Sequence, residues 1–310
     1  MEIELVSEKI SDFNIVIKEK KYTDSTKSII ESCKRNTLEV INSESQKIDF
    51  VLPNFKAGSV GSLISPGGVG KSALSLQMCV EVAGGPIFFG NIDVGEVVFL
   101  SAEDDIQILQ NRLKAIIENC TEEQKNNVVN NLHLFDLTEI DFNISINGET
   151  FLTEFLENKR LCVIDTLRMV HLSDENDSTE MSILMNTFKR IAKKTSCSIL
   201  FLHHTSKSAL NADSGDNQGL SRGSSVLTDN IKFQAYLQTL SEKKAKELGI
   251  DVAIRKQFAE FGLSKCNYGK PFDPKLLKKQ SSKINEGYKF IETTAIEKKE
   301  ASKNKNRRFS

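Results

Sequence analysis

No two cysteines stand at CxxC spacing, the four histidines form no HExxH or other zinc pattern, and no apolar run approaches the length of a membrane span. The first absence removes redox dithiols, the second removes zincins, and the third removes a transmembrane helix. Cys33, Cys79, Cys120, Cys162, Cys197 and Cys266 are scattered, several inside apolar runs such as LCVID and CSILFL. They read as small buried hydrophobes. The opening MEIELVSEKISDF has no apolar block of a secretory leader, so a reducing, cytoplasmic location without a membrane partner is expected. Overall charge also lacks a sign. Lys plus Arg is 41 and Asp plus Glu is 42, a balance that points neither towards nor away from nucleic acid.

What is present divides the 310 residues into three parts. Residues 1–48 are a polar extension, partly helical, with one amphipathic pattern around Lys27 to Val40. From IDFVLP onward the texture changes. VGSLI, VVFLS, LHLFDL, LCVID, SILFLHH and IKFQAYL are short apolar runs separated by helical patterns. Leu109, Leu113, Ile116 and Ile117 share one helical face, as do Leu184, Phe188, Ile191 and Ala192. Continuous apolar strands alternating with amphipathic helices predict an α/β domain over 49–292, a mostly parallel sheet flanked by helices. Residues 293–310 form a basic tail, expected to be disordered, which either touches phosphates or is simply solvated.

The densest chemistry lies in Ser65 to Ser72, SPGGVGKS, between the run VGSLI and the helical ALSLQMCV. Strand, glycine-rich turn, then Lys-Ser opening a helix is the Walker A arrangement. Gly67, Gly68 and Gly70 let backbone N–H groups of Ser65–Ser72, Val69 included, converge on an anion at a positive helix start. Lys71 then reaches the β and γ phosphates of ATP, and Ser72 binds Mg²⁺. Ser65 stands where the full pattern has its first glycine, a departure that Pro66 offsets by stiffening the turn.

Such a loop needs a carboxylate at a nearby strand tip for the metal. LCVID ends in Asp165, an acid too costly to bury without a cation or a partner. VVFLS-AED places Glu103 beyond another strand, where a base can prepare the attacking water, with Asp104 and Asp105 as alternatives. SILFLHH ends in His203 and His204, which point to opposite faces; His204, nearer the ligand-binding edge, is the candidate γ-phosphate contact. Phosphate loop, acid, LCVID-T and a polar strand end, in this order, resemble a RecA-like ATPase core.

Beyond these motifs, VLPNFKAGSVGSLISPGGVGKSALSLQ, SAEDD, VIDTLRMVH, CSILFLHHTSK, SRGSSVLTDNIKFQAYL and FGLSKCNYGKPF resemble the RepA family of hexameric replicative DNA helicases from broad-host-range mobilisable plasmids. The resemblance runs over about 49–290 and includes the SPGG turn. It implies a ring of six RecA-like subunits, ATP and Mg²⁺ between neighbours, and 5′ to 3′ movement on single-stranded DNA in the channel. It also implies a phosphate-loop role for Lys71 and Ser72, a Mg²⁺ acid at Asp165, a catalytic glutamate at Glu103 and a γ-phosphate sensor at His204. The family's arginine finger falls in DNIR; here the residue is Lys232, which has no planar bidentate fork. Lys232 takes the role, or Arg222 in SRGSS or Lys265 in SKCNYG shares it. DNA contacts are expected in 171–180 and 206–223, with Lys207 and Arg222 at the ends of the second stretch. With no helix-turn-helix, zinc knuckle or primase module in the sequence, origin recognition and priming fall to separate initiator and primase proteins. The other readings are a RecA-like recombination or repair ATPase that forms filaments, and a nucleotide-gated regulatory switch associated with DNA.

Overall fold

The computed structural model describes residues 7–10, 13–16, 19–90, 92–140, 148–170, 178–205 and 225–294. The chain divides into two units, Met1–Ile48 and Asp49–Ser310. In the first, β1 (Ser7–Ile10) pairs antiparallel with β2 (Phe13–Val16), followed by α1 (Glu19–Ser32) and α2 (Thr37–Asn42). The single helix expected around 27–40 is therefore interrupted. Asn36 causes the break: its side chain accepts the Leu38 N–H at 3.0 Å and starts a new helix as an N-cap.

The second unit opens with a small hairpin, β3 (Phe50–Leu52) and β4 (Phe55–Lys56), and then builds the main sheet. In chain order follow β5 (Val60–Ser65), α3 (Lys71–Gly84), β6 (Glu96–Ser101), α4 (Ile106–Ile117), α5 (Glu122–Asn131), β7 (Leu132–Asp136), α6 (Gly148–Phe155) and β8 (Lys159–Asp165). After these come α7 (Ser178–Thr195), β9 (Ser198–His204), α8 (Ser225–Asn230), β10 (Phe233–Thr239), α9 (Glu242–Glu247), β11 (Phe258–Cys266), β12 (Lys275–Ser281) and β13 (Tyr288–Glu292).

Nine strands form one sheet in the order β13-β12-β11-β10-β5-β9-β8-β6-β7. From β10 to β7 every pairing is parallel, and β11, β12 and β13 extend it as an antiparallel ribbon. All six apolar runs read from the sequence are parallel strands. The last begins at Phe233, two residues later than the run IKFQAYL, which leaves Lys232 just before the strand.

Alternation explains why these strands are apolar throughout. Val97, Phe99, Leu161, Val163, Leu200 and Leu202 face a core shared with α3, α4 and α5. Val98, Leu100, Cys162, Ile164, Ile199 and Phe201 face another, filled by α6 and α7. A sheet covered on both faces leaves no polar side for its central strands. Helix α3 is buried almost end to end, so its sequence is apolar on all sides rather than striped.

One polar chain crosses the seam between the parallel and antiparallel halves. Gln234, 3% exposed, donates from Nε2 to Ser62 Oγ at 3.1 Å and to Thr228 Oγ1 at 3.3 Å. Its Oε1 accepts from Ser264 Oγ at 2.9 Å. A buried amide on four elements is tolerated because each of its polar atoms is matched.

Candidate functional site at the strand tips

At the end of β5 the chain turns through Pro66–Gly70 into α3. Ser65 donates its hydroxyl to the Pro66 carbonyl at 2.9 Å, so the side chain closes on its own turn. Val69, 6% exposed, anchors the turn in the core. Gly68 and Gly70 have φ of +79° and +117°, where a side chain is strained. At Gly70 a Cβ would also lie 2.7 Å from the Tyr288 hydroxyl and 2.9 Å from the Phe290 ring, whereas Gly67 and Gly68 border open space. The first α3 hydrogen bond joins Leu74 N–H to Gly70 O. The N–H groups of Lys71, Ser72 and Ala73 therefore lack intrahelical partners at the positive end of a fourteen-residue helix.

Parallel register brings the other expected residues to this edge. Ser65 is level with His204, and Ser101 with Asp165. Lys71, only 4% exposed, holds Nζ 3.5 Å from His204 Nε2. The same Nε2 lies 3.1 Å from Glu103 Oε1, which also accepts from Thr166 Oγ1 at 3.2 Å. With its proton on Nε2 the imidazole donates to Glu103; with the proton on Nδ1 the lone pair faces Lys71. Burial lowers the Lys71 pKa, against the pull of Asp165, Glu103 and Asp104.

The three acids after β6 have different surroundings. Asp105 is the N-cap of α4 and accepts from Gln107 and Ile108 N–H at 2.9 and 3.0 Å. Asp104 is held by Arg112, whose guanidinium reaches both of its oxygens. Glu103 has neither commitment and is half-exposed at the mouth of the cluster.

Asp165 is fully buried, and neither carboxylate oxygen has a partner of hydrogen-bond geometry, although the Ser72 hydroxyl is near enough to pull its pKa partly down. Burial outweighs that pull and raises the pKa to about 6. An unpartnered buried carboxylate beside a hydroxyl fits a hard divalent cation such as Mg²⁺, which takes one or two protein oxygens and fills its remaining positions with water and phosphate. Asp165 and Ser72 are the residues that would hold it, and the ion would neutralise charge on the phosphates.

The metal-free protein should register this arrangement. The folded state binds the Asp165 proton more tightly than the unfolded chain, about 6 against 3.8. The ionised carboxylate therefore does not destabilise the fold below about pH 4. Its penalty grows as pH rises through about 4 to 6 and is complete above that range. Asp165→Asn is expected to stabilise the metal-free protein by about 1–3 kcal/mol at pH 7.5 and to flatten that part of the profile. Urea unfolding without Mg²⁺ checks both; unchanged stability at pH 7.5 would contradict the burial assignment.

Lys232 and Lys265 do not join this cluster. Phe233 pairs with both Gly61 and Cys266, so the two lysines stand level with the start of β5, at the opposite edge of the sheet. Arg222, Lys207 and the rest of 206–224 lie outside the described residues, as do 171–177 and the tail from 295. Sequence reading missed Arg112 and Tyr288. Arg112 lies eight residues beyond its acid, a spacing without special meaning across a loop–helix boundary. Tyr288 arrives from a distant strand; burial raises its phenol pKa, opposed by the Arg112 charge.

The fold has solved counterparts. A solved helicase ATPase domain superposes with a TM-score of 0.53 at 16% identity, covering 87% of this chain and 97% of that one. A DnaB-like replicative helicase, solved in a study of its interactions with primase, gives 0.55 at 15% identity, covering 86% of this chain and 71% of that one. The fold is that of a RecA-like P-loop ATPase. A family described as an AAA domain matches residues 33–209, more than half of the sequence. On that match, and with the phosphate loop and its strand-tip acids inside the matched span, the chain belongs to the AAA domain family.

Proposed function

We propose that this chain is an ATP-driven DNA helicase that moves 5′ to 3′ on single-stranded DNA as a ring, the motor of a plasmid-type replication system. The observation that carries the reading is the joining of Lys71, His204 and Glu103 at one parallel-strand edge, next to buried Asp165. Lys71 and the α3 N–H groups bind the β and γ phosphates of ATP. Asp165 and Ser72 hold Mg²⁺, whose charge makes the terminal phosphoryl group easier to displace. Glu103 accepts the proton of the attacking water, and His204 contacts the γ-phosphate and passes its state to Glu103. Lys232, at the far edge, acts on the nucleotide of a neighbouring subunit, in a six-membered ring like that implied by the sequence resemblance. The described residues contain no helix long and apolar enough to cross a membrane. The DnaB-like structure supports the helicase reading through its fold, and that protein's interactions with primase fit a separate priming partner here.

Displacement of a labelled strand from a forked duplex tests this directly, with single-strand-stimulated ATPase measured alongside. ATP-dependent release from forks with a free 5′ tail is expected. Hydrolysis with open filaments and no strand release would instead identify a recombinase-type ATPase. Slow hydrolysis that controls only binding would identify a switch.

A further inference from the structure

Three lysines from separate elements meet at the sheet edge opposite the phosphate loop. Lys189 on α7 donates to Asn230 Oδ1 at 2.6 Å. Lys265 at the end of β11 donates to the Thr228 carbonyl at 2.7 Å. Lys232, exposed, lies between α8 and β10. Burial lowers the Lys189 pKa, and the charges of Lys232 and Lys265 lower it further; burial and Lys232 also lower that of Lys265, with Asp229 opposing. The three ammonium groups are thus close enough to repel one another. Two of them rest on neutral oxygens of α8, which are weaker acceptors than a phosphate.

The chain's own nucleotide is too far away to be their partner. From Gly61, level with Phe233, to Ser65 is four residues of strand, about 13 Å. The strand-tip site in turn is short of cations. Among the described residues gathered there, Lys71 faces the cluster, while the Arg112 guanidinium is committed to Asp104. One edge of the domain needs positive charge and the other holds a surplus. Head-to-tail association of copies brings such edges together, and a ring is its closed form.

We propose that Lys189, Lys232 and Lys265 form a phosphate-binding site for the terminal phosphoryl group of ATP bound to a second copy of this chain, with Lys189 as a catalytic residue of that shared site. The inference rests on the ATPase reading above. When the phosphoryl group arrives, Lys189 and Lys265 exchange Asn230 and the Thr228 carbonyl for its oxygens. Each lysine donates one hydrogen to the charge that builds up during transfer.

The test uses the full chain. Lys189→Gln keeps a donor for Asn230 and removes the charge. It is expected to lower kcat for ATP by about 10–100-fold, with KM and fluorescent-nucleotide affinity changed less than about threefold. Lys189→Arg should recover most of the turnover. An equal mixture of Lys189→Gln with Lys71→Ala should hydrolyse more ATP than the two separately summed, because one supplies an intact phosphate loop and the other intact lysines. A mixture that only equals the sum, or unchanged turnover in Lys189→Gln, overturns the shared site. Absent turnover in the unaltered protein would instead overturn the ATPase reading. Should Lys189→Gln melt more than about 5 °C below the parent, the kcat ratio of Lys189→Arg to parent decides: below about one tenth supports a placed phosphate contact, and near unity at normal KM overturns it.

Discussion

Glu103→Gln is expected to leave ATP bound and unhydrolysed, with kcat falling about 10²–10⁴-fold. Glutamine matches the length of glutamate and can still accept from Thr166, so the surroundings of His204 are largely retained. What disappears is the basic oxygen that takes a proton from water. Single-turnover hydrolysis beside equilibrium nucleotide binding separates the two effects, and affinity should stay within about threefold. Asp104 and Asp105 are the controls. Asp104→Asn weakens a pair with Arg112, and Asp105→Asn keeps a competent helix cap. Neither should approach the loss at Glu103. If Glu103→Gln turns over normally, the proton acceptor lies elsewhere.

Lys71→Ala should remove turnover and strand displacement together, and unlike Glu103→Gln it should also weaken nucleotide binding. Each charge-assisted hydrogen bond to a phosphate contributes about 1.5–3 kcal/mol, so losing contact with two phosphates is expected to weaken ATP binding by at least about 100-fold. The fold should tolerate the change. Lys71 is an ammonium whose burial already opposes its charge, and alanine is the best helix former at an α3 position. An unfolding midpoint near that of the parent, with calorimetry showing weak ATP binding, is the expected pair of results. Tight ATP binding in this variant would remove the phosphate-loop assignment.

The ligand-bearing half of the fold was legible because its signals are local and strong. A strand buried on both faces must be apolar at every position, as VVFL and LCVI are, and a chain feeding a helix through SPGGVGKS has few other uses for three glycines and a lysine. The antiparallel ribbon was not legible in its pattern. KLLKKQS and YKFIE mix lysines with apolar residues because one side of each strand packs and the other is partly open, a weak signal for any element. Lys189 was hidden for a related reason. A lysine on an amphipathic helix reads as a solvated face until tertiary packing sets two further lysines beside it. The relative standing of Glu103, Asp104 and Asp105 likewise depended on Arg112 and on where α4 begins, both matters of three-dimensional arrangement.

The Gln234 chain bears on how a disturbance at one sheet edge is felt at the other. Its amide ties Thr228 of α8 to Ser62, three residues before the phosphate loop, in a setting without water to replace a broken link. If α8 shifts when its lysines let go, either a buried hydrogen bond is left unmade or β5 follows. The first option leaves polar groups stranded at about 1–3 kcal/mol each, which makes the stiff response the easier one. The seam therefore works as a pushrod rather than a cushion, and a subunit that senses its neighbour is already geared to its own nucleotide.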